Sequence, residues 1–239
     1  MRPPSSDERQ EHALHVRLAV AAAVAVALLV PFAVLTAMVV GGVDWLHRVD
    51  QDVSVAVHDF SSAHSALVDF MWAWCLVFDP WTWRLAALGL VIWLARRGAR
   101  SLAWWVGITM TAGGLLGVVL KVIFERDRPS FLDPVATAVG YSFPSGHALN
   151  NALGAAVVLA VLLPLTRHRP RWRRWLIGAG LAIPAVTGLF RVGLGVHWLS
   201  DVLGGWLLGL IVVAATSAAF VAHRRRRSPQ LAGAGVARE

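Results

Sequence analysis

The chain has 239 residues, 57% hydrophobic and 15% charged, a balance that suits one membrane domain and argues against two soluble ones. Its formal net charge of +8 would fit nucleic-acid binding, but the arginines fall in short clusters between apolar runs, a pattern of membrane orientation. Cys75 is the only cysteine, which excludes an intrachain disulfide and a cysteine zinc site.

Residues 1–17 are polar, carry Arg2, Arg9 and Arg17, and read as an N-terminal tail. Residues 18–40 form an apolar run of about 23 residues, enough to cross a bilayer. The apolar core of a signal peptide is about 7–15 residues, so this run is expected to be a retained span, bent at Pro31. Residues 41–80 are mixed, with Asp44, Asp50, Asp52, Asp59, Asp69 and Asp79 against Arg48. The Trp-rich stretch 67–78 is apolar but short. It reads as a helix lying at the membrane interface, the alternative being the first half of the next span with a bend at Asp79-Pro80.

Residues 81–95 form a short second span that ends at Arg96, Arg97 and Arg100. Residues 101–124 form a third, with Gly113 and Gly117 on one face in a spacing that allows close helix contact. A loop of about 20 residues leads to Pro144. The fourth, fifth and sixth spans cover 147–165, 175–190 (with Pro184 inside) and 197–222 (with the small pair Gly205 and Gly209). Arg167, Arg169, Arg171, Arg173 and Arg174 separate the fourth from the fifth, and Arg224 to Arg227 open a tail over 223–239.

The expected fold is therefore all-α. It is a polytopic membrane helix bundle of about six transmembrane helices plus a short interfacial helical segment, in one domain over 18–222. With six spans the arginine clusters all fall on one side, which the positive-inside rule makes cytoplasmic, along with both termini. The loops 41–80, 125–146 and 191–196 then face outward from a plasma membrane.

Those outward loops carry the unusual polar residues. Tyr141-Ser142-Phe143-Pro144-Ser145-Gly146-His147 sits just before the fourth span. Ser145 is a good N-cap, Pro144 cannot extend a helix backwards, and Gly146 lets a backbone N–H approach a ligand. The helix start presents free N–H groups and a positive dipole end, an anion site, with His147 on that spot. Lys121 is the single lysine among 22 lysines and arginines, near the end of the third span. An ammonium used once suggests a position where a compact charge matters. Arg128 follows seven residues later and shares a face with Lys121 if the helix continues to Pro129. Glu125, Arg126 and Asp127 between them read as a solvated face pairing among themselves. Arg191 ends the fifth span, and His197 and Asp201 stand i and i+4 at the start of the sixth. A carboxylate there accepts the imidazole Nδ1–H and leaves the Nε2 lone pair free.

Three cations, two histidines and a carboxylate thus meet at three helix ends on one side of the membrane. Ionisable groups in spans cost at least about 2.5–3.5 kcal/mol on insertion scales and are functional candidates by default. Lys121, Arg128, Arg191 and a helix N-terminus favour a dianion, with His197 a nucleophile candidate and His147 a general-acid candidate.

The arrangement resembles the type 2 phosphatidic acid phosphatases (lipid phosphate phosphatases), in their bacterial integral-membrane branch. That family carries Lys-x6-Arg-Pro, Pro-Ser-Gly-His and Ser-Arg-x5-His-x3-Asp. Here these read Lys121 to Arg128-Pro129, Pro144-Ser145-Gly146-His147, and Arg191 to His197 and Asp201. Phe190 replaces the serine of the third motif. The resemblance covers about residues 50–220. It implies a lipid phosphate or pyrophosphate phosphatase acting at the outer face without metal or other cofactor. Lys121, Arg128, Arg191 and the backbone of Ser145 and Gly146 would hold the phosphoryl oxygens. His197 would form a phosphohistidine, Asp201 would orient it, and His147 would protonate the leaving oxygen and then activate water. The partners implied are a membrane lipid with a terminal phosphate or pyrophosphate, such as undecaprenyl pyrophosphate, and the bilayer, without nucleic acid. The competing readings are a lipid phosphotransferase using the same residues, a metal-dependent hydrolase using His147, His197, Asp127 and Asp201, a transporter or binding protein, and an inactive relative.

Overall fold

The computed structural model describes residues 6–236, and all regular structure among them is helical. The helices are α1 (Ser6–Val40), α2 (Asp44–Ser62), α3 (Ser65–Val77), α4 (Pro80–Arg96), α5 (Arg100–Phe124), α6 (Gly146–Leu162), α7 (Pro170–Gly193) and α8 (Leu199–Val236). A single 3₁₀ turn, Leu163–Thr166, continues α6. Among the described residues six runs are long and apolar enough to cross a membrane: Leu18–Val40, Ser65–Arg96, Arg100–Phe124, Gly146–Thr166, Pro170–Gly193 and Leu199–His223. The protein is a multi-pass membrane helix bundle. Helices α1 and α8 run on into stretches that the sequence assigns to tails, while residues 1–5 and 237–239 lie outside the described residues.

Helix α6 is the centre of the bundle and packs against α4, α5, α7 and α8. Its Leu149, Leu153, Val157 and Val161 form the main core with Val106, Met110, Leu208 and Val212. The outer faces remain apolar, as lipid contact requires: Leu85, Leu115, Val118 and Val122 are all exposed. The small-residue pairs set the helix spacing. A Cβ on Gly205 would lie 2.7 Å from the Ser145 carbonyl oxygen, and one on Gly209 2.8 Å from that of Leu149. Backbones of α6 and α8 therefore touch, as small-residue interfaces in membranes allow. Gly113 and Gly117 instead receive the side chains of Leu153 and Leu149.

The stretch 67–78 forms most of α3, a helix of its own that precedes α4, and the two together make the apolar run Ser65–Arg96. The break falls at Phe78–Asp79, where Asp79 caps α4 by accepting the Trp81 N–H at 2.8 Å and Pro80 occupies the first helical position. Aromatic packing holds α3 on α7, with Phe70 and Trp74 edge-on to Phe190 at 5.8 and 6.0 Å. Phe190, standing where the family motif has serine, is thus a packing residue between these helices.

Helix α2 buries a polar face. Leu46, Asp50, Ser54, His58 and Ser61 recur at helical spacing and turn inward against the bundle. This helix lies across the end of the bundle that carries the candidate site.

Candidate active site

Phe143 anchors the loop that leads into α6. It is fully buried, with ring centroids 6.4 Å from Phe32 and 5.5 Å from Phe124. Ser145 then caps α6, its Oγ accepting the Ala148 N–H at 3.4 Å. One expectation needs correcting here. The Ser145 N–H donates to the Asp201 carbonyl at 2.9 Å, so it is not free for a ligand. The N–H groups at the open first turn belong to Gly146 and His147. The Ser145 contact has a different use: it ties the start of α6 to the start of α8.

His197 lies in the turn between α7 and α8, ahead of the first residue of α8, Leu199. Its Nδ1 faces Asp201 Oδ2 at 3.3 Å and its Nε2 faces an Arg128 guanidinium nitrogen at 3.2 Å. A guanidinium only donates, so Nε2 carries the lone pair and Nδ1 the proton. Burial pushes the imidazole well below its ordinary pKa, and the charges of Arg191, Lys121 and Arg128 push it further the same way. The ring is neutral and its lone pair points at the cations. Asp201 is held from all sides: Oδ2 also accepts the Trp198 N–H at 2.9 Å, and Oδ1 accepts from Arg126 at 2.6 Å.

The cations gather by a route other than a shared helical face. Helix α5 ends at Phe124, where Glu125 adopts a left-handed conformation with φ 47°. Lys121 and Arg128 instead meet at the Tyr141 carbonyl, to which they donate at 2.7 and 3.1 Å. Arg128 also donates to the carbonyls of Gly140 and Val196 at 2.8 and 2.6 Å. The Lys121 Cε lies 3.9 Å from where a Gly146 Cβ would stand, which sets the ammonium arm beside the first turn of α6. Arg191 is buried in the last turn of α7, near Cys75 and Asp79, and its Nε is unpartnered. His147 enters from α6, its Nε2 3.4 Å from Asp79 Oδ2.

Sequence reasoning missed three further residues. Arg126 is no solvated surface charge; it bridges Asp201 and Asp50, at 2.6 and 2.7 Å, with both carboxylates buried. Asp50, from α2, accepts the Ser200 N–H at 2.9 Å and also the Ser200 hydroxyl. Asp79, noted in the sequence only as a bend, faces His147. The available signals were the Asp-Pro cap before α4 and the helical period of Leu46, Asp50, Ser54 and His58. Asp127, by contrast, meets Ser142 and Trp198 through its backbone carbonyl. Among the described residues no three His, Cys, Asp or Glu side chains group to hold a metal ion.

Comparison with known proteins bears on this arrangement. Residues 102–225 match the PAP2 superfamily. The chain is 40% identical over 116 residues to phosphatidylglycerophosphatase B of Bacillus subtilis (strain 168), covering 45% of this chain and 55% of that protein. It is 34% identical over 113 residues to an undecaprenyl-diphosphatase of Sulfolobus acidocaldarius, covering 44% and 50%. The chain thus spans about half the length of these curated relatives. The crystal structure of a transmembrane PAP2 type phosphatidylglycerolphosphate phosphatase from Bacillus subtilis superposes with TM-score 0.62 at 27% identity, covering 81% of this chain and 94% of that one.

Proposed function

The chain belongs to the PAP2 superfamily, and from that premise we propose that it is a membrane lipid phosphate or pyrophosphate phosphatase working through a phosphohistidine on His197. The observation that carries this reading is the His197 ring, neutral, backed by Asp201 and presenting Nε2 to Arg128. A phosphoryl dianion that takes the Arg128 guanidinium for its own oxygens brings phosphorus up to that lone pair. Lys121, Arg191 and the N–H groups of Gly146 and His147 surround the same space, so charge spread over the transferring group meets fixed donors.

Nε2 attacks phosphorus, the bond to the lipid oxygen breaks, and His147 delivers a proton to that oxygen. Asp201 stabilises the imidazole as it becomes positively charged. His147, now neutral, takes a proton from water. The resulting hydroxide attacks phosphorus, the P–N bond breaks, and inorganic phosphate leaves with His197 restored. The chain's own cations supply the electrostatic stabilisation, and we propose that no metal takes part.

The lipid character of the substrate is supported by the surroundings. An apolar groove of about 790 Å³ runs between α4 and α5, lined by Leu88, Val91, Met110 and Leu115. Its upper wall includes Trp81 and Arg84, just beyond the Asp79 cap. A hydrocarbon tail has a place there while the headgroup stands among the cations. The arginine clusters at the far ends of the helices support a site at the extracytoplasmic face.

The test is phosphate release by purified protein in detergent from a panel of lipid phosphates, phosphatidylglycerol phosphate, phosphatidic acid and undecaprenyl pyrophosphate, with and without EDTA. Turnover of at least one member, unchanged by EDTA, is expected. Turnover that EDTA abolishes and Mg²⁺ restores would contradict the metal-free mechanism.

A further inference from the structure

His197 has a carboxylate behind it, and so does His147. Asp79 Oδ2 lies 3.4 Å from His147 Nε2, while Oδ1 accepts the Trp81 N–H at 2.8 Å. The carboxylate is therefore fixed by the cap it makes for α4, and its other oxygen stands within ion-pair distance of the imidazole. The α3–α4 break that carries it is itself clamped to α6. Asn151, one turn beyond His147, donates through Nδ2 to the Phe78 carbonyl at 2.8 Å and to the His147 carbonyl at 2.9 Å. Thr187 of α7 donates to Asn151 Oδ1 at 3.4 Å and accepts from Trp74 Nε1 of α3 at 2.9 Å. Three helices hold the residue before Asp79 within a turn of His147. None of Asp79, Asn151, Thr187 and Trp74 belongs to the three motifs.

We propose that Asp79 is the positioning residue of His147, orienting its ring and helping it keep its proton until the leaving oxygen needs it. The inference rests on the general-acid reading of His147. The site then holds two carboxylate–imidazole pairs with opposite tasks: Asp201 behind a nucleophile that must be neutral, Asp79 behind an acid that must be charged. His147 has the cations Arg191 from α7 and Lys121 from α5, the His197 ring from the turn before α8 and the Cys75 backbone carbonyl around it; positive neighbours oppose an imidazolium and a carboxylate favours it. Asp79, from the α3–α4 break, is the carboxylate placed against it. The phosphoryl dianion lowers the opposition when substrate binds, and Asp79 is the share that remains after phosphate leaves.

The discriminating variant is Asp79→Asn, because asparagine caps a helix as well as aspartate does and removes only the charge. Its thermal midpoint should equal that of the wild type. On an alkyl or prenyl phosphate its kcat should fall about 10²-fold, the lower end of general-acid catalysis, and on p-nitrophenyl phosphate, whose phenolate leaves without a proton, only a few-fold. The basic limb of kcat should move to lower pH, since a less stabilised imidazolium loses its proton earlier. Asp79→Ser, another uncharged cap, should behave alike if the amide variant folds poorly. His147→Ala is measured beside them. If it shows the leaving-group dependence while both Asp79 variants keep wild-type kcat, selectivity and basic limb, Asp79 is only the cap of α4 and the inference falls. If His147→Ala loses the same factor on both substrates, the general-acid reading falls, and this inference with it.

Discussion

At the scale of the residue, the proposed reaction turns on which nitrogen of which imidazole holds a proton. Burial first, then the charges of Arg191, Lys121 and Arg128, hold His197 below its ordinary pKa, so the free protein is expected to keep the proposed nucleophile neutral into mildly acid solution. The sign follows: a base with a lowered pKa is lost only as pH falls through that lower value. The acid limb of kcat/KM should therefore lie below about 6.5, once the second phosphate ionisation near 6 is allowed for. Arg128→Gln should lower the plateau and move the limb upward, because one of the opposing charges is gone. A limb unmoved in that variant would contradict the arrangement. The second residue-scale expectation concerns Arg126, which joins two buried carboxylates. Removing one partner of a buried ion pair costs about 3–5 kcal/mol, so Arg126→Gln should lower the thermal midpoint markedly and turnover with it. A variant with the wild-type melting curve would show the bridge to be dispensable. The motif residues were legible because their spacing within each stretch is diagnostic. Arg126 was not, because its partner Asp50 lies 76 residues away and nothing in the sequence pairs them.

At the scale of the element, the spans were legible from hydropathy and the joins were not. A break at Asp79-Pro80 could be read from the cap and the proline, but what α3 packs on could not: Phe190, Thr187 and the close approach at Gly193 seat it on α7. The same holds for Lys121 and Arg128, which meet through a loop carbonyl and not along a helix. The small-residue pair on α8 makes a quantitative claim. Gly205 faces the Ser145 carbonyl, the Ala148 Cβ and the Leu149 N–H with no room for a Cβ, two of these three atoms belonging to backbone. Gly205→Ala should cost about 1–3 kcal/mol by overpacking and, by parting α6 from α8, reduce turnover more than it reduces stability. Gly178→Ala, on α7 where a Cβ meets nothing within 4 Å, is the control and should be silent. Equal effects from the two would remove the argument for α6–α8 contact as what holds the site.

At the scale of the whole molecule, the bundle has a chemical end and a basic end. The chemical end gathers α2, the 125–146 loop and the turn before α8; the basic end carries Arg96, Arg97, Arg100 and the stretch Arg167 to Arg174. By the positive-inside rule we propose that the chemical end faces outward. In a Cys75→Ala background, Ser130→Cys should react with an impermeant thiol reagent on intact cells and His168→Cys only after the membrane is opened. Both positions are exposed, so access and not burial decides the result. Labelling of the His168→Cys variant from outside would invert the topology. The proposed mechanism rests on one step, the transfer of a phosphoryl group to His197, and the most direct measurement traps it. Substrate carrying labelled phosphate, mixed with the protein and quenched rapidly without acid, should leave an acid-labile label on the wild type and none on His197→Ala, whose turnover should fall to background. Label retained by His197→Ala, or most of its activity kept, would contradict the account and leave direct attack by water in its place.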